Sequence, residues 1–210
     1  MDLKAFITEV HENAVNHGWY DEKRTDGTLR ALMHDELSEA LREYRCSRPL
    51  VWHKCHYNGG VCEQQDVHDN NGGCMGCEPN MRKPEGIAVE MVDFAIRVFD
   101  YMGYKGIDVP CDTLNELMAE SVRNVSEEEQ DETNGVYADL LDYALPDLVD
   151  LLHERVSLDR RCIIELDYLA EAAGVALAWI ERRGMDAEAL LREKHEFNVG
   201  RSYKHGGKVC

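Results

Sequence analysis

Three features that mark common classes of protein are scarce in this sequence. Positive charge is scarce, because 23 lysines and arginines stand against 41 acids and give a formal charge of -18. So acidic a chain repels nucleic acids and anionic membranes, and we expect neither as its main partner. Long uncharged apolar runs are absent, and the opening MDLKAFITEVHENAV is unlike a signal peptide. We therefore expect a soluble cytoplasmic protein.

Strand patterns are the third scarce feature. Apolar residues recur at helical spacing in 2–16, 29–44, 86–103, 113–129, 135–156 and 163–184. We expect Thr28 to cap the second helix, Pro146 to kink or split the fifth, and the fourth to break down in the acidic SEEEQDETNG. With 44% hydrophobic residues, the sequence predicts one all-α domain over residues 1–210, a helical bundle with a real core.

Residues 46–84 interrupt the helical pattern. This stretch is rich in Cys, His, Gly and Asn and has no sustained period, so we predict an irregular insert. Cys74 and Cys77 have the two-residue spacing of a zinc knuckle, and reduced cytoplasmic cysteines favour metal over disulfides. We predict a structural Zn²⁺ on Cys55, Cys62, Cys74 and Cys77, with His53, His56, His68 or Cys46 as substitutes. The alternative is a loop with free thiols.

Two pairs of acids carry the strongest chemical signal. Glu36 and Glu39 lie on one face of the second predicted helix, and Glu90 and Asp93 lie on one strip of the third. The third helix is apolar nearly all round, which indicates a buried helix whose acidic strip faces the interior. Four carboxylates there need compensating charge, and oxygen-preferring Mg²⁺ or Mn²⁺ would supply it. Salt bridging is the alternative. No Glu-x-x-His pair supports a di-iron site.

The sequence around these pairs resembles a known family. E36-L-S-E39 and E90-M-V-D93 are similar to the ExxE and ExxD signatures of the all-α nucleoside triphosphate pyrophosphohydrolases, the MazG-like group related to dimeric dUTPases. GWYDEKRTDGTLRALMHDELSEALREYR resembles the first half of small MazG-like proteins, and KHEFNVGRSYKHGGK resembles their ending. The similar segments are 1–45, 85–108 and 190–208. The chain departs from the family in its insert, in an extra helical segment at about 112–188, and in Phe197, which replaces a tyrosine.

The resemblance implies a helical bundle that hydrolyses a nucleoside triphosphate between its α- and β-phosphates. It implies Glu36, Glu39, Glu90 and Asp93 as catalytic Mg²⁺ ligands, with Glu39 as candidate base. It also implies substrate contacts from the tail: Lys194, Asn198 and Arg201, with Tyr203, His205 and Lys208 behind them. Trp19 is either a platform for the base or a core anchor. The family usually forms homo-oligomers. The alternative is a non-catalytic nucleotide- or protein-binding module with a zinc-stapled docking loop.

Overall fold

The computed structural model describes residues 1–54, 82–107, 109, 111–133, 139–158 and 167–204. In these ranges it has seven helices and one small sheet: α1 (Leu3–Asn16), α2 (Asp26–Arg45), β1 (Trp52–Lys54), β2 (Lys83–Glu85), α3 (Ile87–Lys105), α4 (Leu114–Thr133), α5 (Leu145–Leu158), α6 (Asp167–Arg182) and α7 (Ala187–Val199). The predicted all-α class is confirmed. Every described helix is too short or too polar to cross a membrane.

Side-chain caps set the starts of the first two helices. The Asp2 carboxylate accepts a hydrogen bond from the Ala5 amide at 2.9 Å, and the Thr25 hydroxyl accepts one from the Thr28 amide at 3.1 Å. The second helix therefore begins at Asp26, and the prediction that Thr28 is its cap is wrong. α3 ends at Lys105, where Gly106 adopts a left-handed conformation with φ of 65°.

The fourth helix also differs from its prediction. α4 continues through the acidic stretch to Thr133, whereas we expected it to break down there. Glutamate and glutamine are good helix formers, and their propensity outweighs like-charge repulsion that water screens. Pro146 lies in the first turn of α5, where its missing N–H needs no helical acceptor, so α5 begins near this proline. A short 3-10 helix at Leu140–Asp142 precedes it.

α3 is the centre of the core. It packs against α1, α2, α6 and α7, and most of its circumference is buried, as its all-round apolar sequence predicts. Phe6 of α1 meets Phe99 of α3 edge to face at 6.2 Å. On the other side of α6, Gly174 lies so close to Ser121 of α4 that a methyl group at residue 174 would collide with it.

The small sheet joins the two ends of the insert. β1 and β2 are antiparallel, and Trp52, His53 and Lys54 pair with Glu85, Pro84 and Lys83. The predicted zinc ligands Cys55, Cys62, Cys74 and Cys77, with the substitutes His56 and His68, lie outside the described residues. Of the other substitutes, His53 is buried with its Nε2 atom 2.7 Å from Glu193, and Cys46 is exposed.

Candidate metal and anion site

A cleft of about 350 Å³ lies among α1, α2, α3 and α7. Its walls include eight residues that the sequence analysis selected: Trp19, Glu36, Glu39, Glu90, Asp93, Lys194, Asn198 and Arg201. Tyr203 lies elsewhere, exposed, with its hydroxyl donating to Asp21. His205 and Lys208 fall outside the described residues. Segments far apart in the sequence thus converge on one cavity.

Three carboxylates meet where α2 crosses α3. Ligand oxygens of Glu36, Glu39 and Glu90 all lie within 4.8 Å of one another. Each pair of acids is one helical turn apart, and the packing of α2 on α3 brings the pairs face to face. No other trio of His, Cys, Asp or Glu in the described part of the chain is so close. Carboxylate oxygens are the ligands that Mg²⁺ and Mn²⁺ prefer.

Two members of this trio have guanidinium partners. The Arg97 Nε atom donates to a Glu36 oxygen at 3.0 Å, and Arg42 pairs with Glu39 at 3.0 Å. Burial raises the pKa of Glu36, although the Arg97 charge opposes this shift. Arg42 is largely exposed, with 63% of its side chain open to solvent, so water screens its pairing with Glu39. These two arginines only partly offset the acidic charge.

Glu90 is the least compensated carboxylate. Its side chain is 3% exposed, and no described residue gives it a hydrogen bond or ion pair. Burial, followed by the charge of nearby Asp93, raises the pKa of Glu90 to about 9. The Lys194 charge opposes this shift without cancelling it, and a bound cation would add the positive charge that lowers the pKa of Glu90 again.

Lys194 neutralises the fourth acid. Only 2% exposed, it places its Nζ atom 2.7 Å from an Asp93 oxygen and 3.4 Å from the Pro84 carbonyl oxygen. Burial lowers the pKa of Lys194, but Asp93, Glu90 and Glu85 together outweigh that effect, and the net shift is upward. The ammonium group therefore stays charged at the edge of the acidic trio. Resemblance indicated this lysine, but its buried pairing depends on how α7 docks on α3.

Arg201 is a partly buried cation that forms no ion pair with a described carboxylate. Its guanidinium lies 3.5 Å from the Asn198 side-chain oxygen, and no described carboxylate pairs with it. Burial lowers the pKa of Arg201, which shows that the surrounding acids do not fully compensate its desolvation. The cleft thus contains one carboxyl and one guanidinium that form no ion pair with a described residue.

An aromatic side chain, Trp19, and a further carboxylate, Asp100, also line the cleft. Trp19 is 9% exposed, so it is a core anchor that also forms part of the wall. Asp100 lies 2.9 Å from the His11 Nδ1 atom and accepts a hydrogen bond from the Tyr20 hydroxyl at 2.9 Å. Burial, reinforced by Asp100, raises the pKa of Tyr20, which keeps this hydroxyl protonated and donating.

Sequence reasoning did not select six polar or charged lining residues as parts of the site: Asn13, Asp35, Lys83, Arg97, Asp100 and His195. Arg97 and Asp100 did carry a signal, because they continue the strip of Glu90 and Asp93 at spacings of three and four. His195 carried none. It reaches the cleft by packing edge to face on Phe6 at 5.4 Å, a contact between the two ends of the chain.

Comparison of the chain with protein-family models, with curated proteins and with solved structures finds no match. Any functional interpretation therefore depends on the residues of this cleft and on the motifs that they form.

Proposed function

We propose that this protein is a Mg²⁺-dependent nucleoside triphosphate pyrophosphohydrolase of the MazG-like type. The observation that carries the proposal is the paired imbalance of charge in one cleft. Glu90 is a buried carboxyl with a raised pKa and no ion pair to a described residue, and Arg201 is a partly buried guanidinium with no ion pair to a described carboxylate. A metal–polyphosphate complex satisfies both at once, because it presents positive charge to the acids and negative charge to the arginine.

The donor set fits Mg²⁺ or Mn²⁺ better than a softer ion. All three groups of the trio are carboxylates, and neither histidine nor cysteine contributes. Glu36, Glu39 and Glu90 would hold the cation, and Asp93 adjoins them. When bound, the cation would neutralise the triphosphate and lower the pKa of a nearby water molecule.

The cationic side of the cleft binds and orients the polyphosphate. Arg201 offers a guanidinium with unused donors, and the Lys194 ammonium lies within reach of the same space. The Asn198 side chain lies beside Arg201 and adds a polar contact. Trp19 also lines the cleft, where its ring, with the Arg24 guanidinium 5.2 Å from the centroid, would contact the nucleoside.

In the proposed reaction, a water oxygen bonds to the α-phosphorus, and the bond from that phosphorus to the oxygen bridging to the β-phosphorus breaks. Pyrophosphate leaves with the bridging oxygen, and the nucleoside monophosphate keeps the new one. Glu39 accepts the water proton, because it is the most open of the trio, with a third of its side chain exposed. Homo-oligomeric assembly is part of the proposal.

The test is pyrophosphate release from a panel of canonical and modified nucleoside triphosphates with Mg²⁺. We expect release by the native protein, and a loss of about 10²-fold or more in Glu39→Gln. Glu43→Gln is the matched control, because Glu43 lies one turn further along α2 and accepts from the Trp52 indole at 2.8 Å, outside the cleft. Its activity should be unchanged. Light scattering on the same protein gives the oligomeric state.

Three outcomes would contradict the proposal. Turnover that persists with a chelator present, or that is equal in Glu39→Gln and native protein, removes the metal–carboxylate chemistry. Nucleotide binding without any pyrophosphate release, in folded and Mg²⁺-loaded protein, favours instead a non-catalytic binding module.

A further inference from the structure

A second cleft, of about 700 Å³, shares no lining residue with the acidic one. It lies where the end of α2, the start of α3, the start of α5 and the end of α6 meet. Its size is in the range of small-molecule sites, roughly 300–1,000 Å³. The proposed hydrolase activity makes no use of it.

Arginines give this cleft a charge opposite to that of the protein as a whole. Arg45 and Arg48 line it, are exposed, and have no carboxylate partner among the described residues. The guanidinium of Arg48 lies over the Trp52 ring at 5.2 Å. In a chain with 41 acids, two neighbouring arginines without an acid are available for an external anion.

A third arginine, Arg183, also lines this cleft. The Arg183 guanidinium stacks on the Trp179 ring at 3.3 Å from its centroid, and it donates to the carbonyl oxygens of Leu141 and Tyr143 at 3.0 and 2.9 Å. Carbonyl acceptors do not cancel its charge. Arg183 is therefore a positive group, held in place by these contacts, that lines the same cleft as the two exposed arginines.

The turn after α2 sets the position of the two exposed arginines. Ser47 adopts a left-handed conformation with φ of 54°, and its amide donates to the Tyr44 carbonyl at 2.9 Å. The Arg48 amide donates to the Glu43 carbonyl at 3.0 Å. These bonds close the end of the helix and return the chain, so that Arg45 and Arg48 line the same cavity.

Two helix starts add to the positive field. Ile87 is the first residue of α3 and Leu145 is the first residue of α5, and both line this cleft. The amino-terminal end of a helix carries partial positive charge and favours anions. Together with three guanidiniums, these ends make the cavity an anion-binding environment.

The rest of the lining is aromatic and aliphatic. Tyr44 keeps 46% of its surface exposed at the edge of the cavity, and Trp179 is buried in its wall. Leu50, Ile87 and Leu145 supply aliphatic surface. A ligand for this lining needs both an anionic group and a flat apolar one, which is the combination that a nucleotide presents.

We propose that this arginine cleft binds a nucleotide, with its phosphates on Arg45 and Arg48 and its base against Tyr44. The site needs no metal, because its charge comes from the side chains. It lies next to the two helices that carry the acidic pairs, since Tyr44 and Ile87 are close in sequence to Glu39 and Glu90. The proposal stands independently of the hydrolase reaction.

The experiment is calorimetric titration of ADP into the full-length protein with EDTA present. Without metal, the acidic trio repels phosphate, so binding reports the arginine cleft. We expect one ADP per chain, and a Kd raised by about tenfold or more in the double variant Arg45→Gln, Arg48→Gln, since one lost charge-assisted contact is worth about that factor. Arg192→Gln removes an exposed arginine that lines neither cleft, and it should leave the Kd within about twofold.

A titration with inorganic pyrophosphate in place of ADP distinguishes binding of the phosphates from binding of the base. Tyr44→Ala should weaken ADP by about fivefold or more and leave pyrophosphate within about twofold, because only ADP has a base to stack. Equal melting midpoints of the variants show that they are folded, as expected for exposed positions. No saturable heat, an unchanged Kd in the double variant, or an equal loss in Arg192→Gln would each overturn the proposal.

Discussion

Replacing Glu90 with glutamine should stabilise the protein in the absence of metal. Burial first, and then Asp93, raises the pKa of Glu90 from 4.5 to about 9 in the folded state. In the unfolded chain the group titrates near its ordinary value, so unfolding between these two pH values releases a proton. Stability is therefore lost as pH rises through that window. Glutamine has no such proton, and it removes the loss.

The size of the effect follows from the width of the window. Each pKa unit corresponds to about 1.4 kcal/mol, so the interval between 4.5 and neutral pH sets a ceiling of roughly 3 kcal/mol. Because Glu90 interacts with neighbouring acids, we expect Glu90→Gln to raise the free energy of unfolding by about 1–3 kcal/mol at pH 7. For a chain of 210 residues this is a rise of roughly 2–10 °C in Tm.

The assay is thermal and urea unfolding from pH 5 to 8.5 with EDTA, and again with Mg²⁺. The gain should be near zero at pH 5 and increase with pH. With Mg²⁺ near 10–100 times its Kd, the native protein should gain about 1–3 kcal/mol and the variant much less. Glu12→Gln, at an exposed position of α1, is the control. If both variants match the native protein at every pH, the reasoning about Glu90 is wrong.

Three more predictions concern binding and stability. Arg201→Gln should raise the KM for the triphosphate by about 10-fold or more, whereas Arg192→Gln, which only loses an exposed pairing, should not; steady-state kinetics decides. Gly174→Ala should lower the free energy of unfolding in urea by about 1–3 kcal/mol, because the added methyl group collides with α4. Zinc analysis of protein purified without chelator should find about one ion per chain, lost in the double variant Cys74→Ser, Cys77→Ser.

The helical core could be predicted from the sequence because its signal is local. Apolar residues cover nearly all of α3, and this pattern by itself predicts a buried central helix. The ends of the helices were less predictable than their centres. Thr25 and Thr28 are both good caps, and only the hydrogen bond from the Thr28 amide to the Thr25 hydroxyl decides between them.

The candidate site was predictable where its residues share a helix. The turn-by-turn spacing of Glu36 with Glu39 and of Glu90 with Asp93 indicated two acidic faces. The pairing of Lys194 with Asp93 was not predictable, because it joins residues about a hundred positions apart and depends on the docking of α7. Local patterns thus identify which groups are available, and packing determines which of them are neutralised.

Packing leaves Glu90 in a different state from the other three acids of the two pairs. Folding gives Arg97 to Glu36, Arg42 to Glu39 and Lys194 to Asp93, and it leaves the most buried acid without a partner. A purely structural role would favour a glutamine or an apolar residue there, since an uncompensated buried carboxyl destabilises the fold. Uptake of a proton or binding of a cation relieves this destabilisation. The chain therefore gives up stability at the one position where a cation would restore it, as expected of a residue kept for binding.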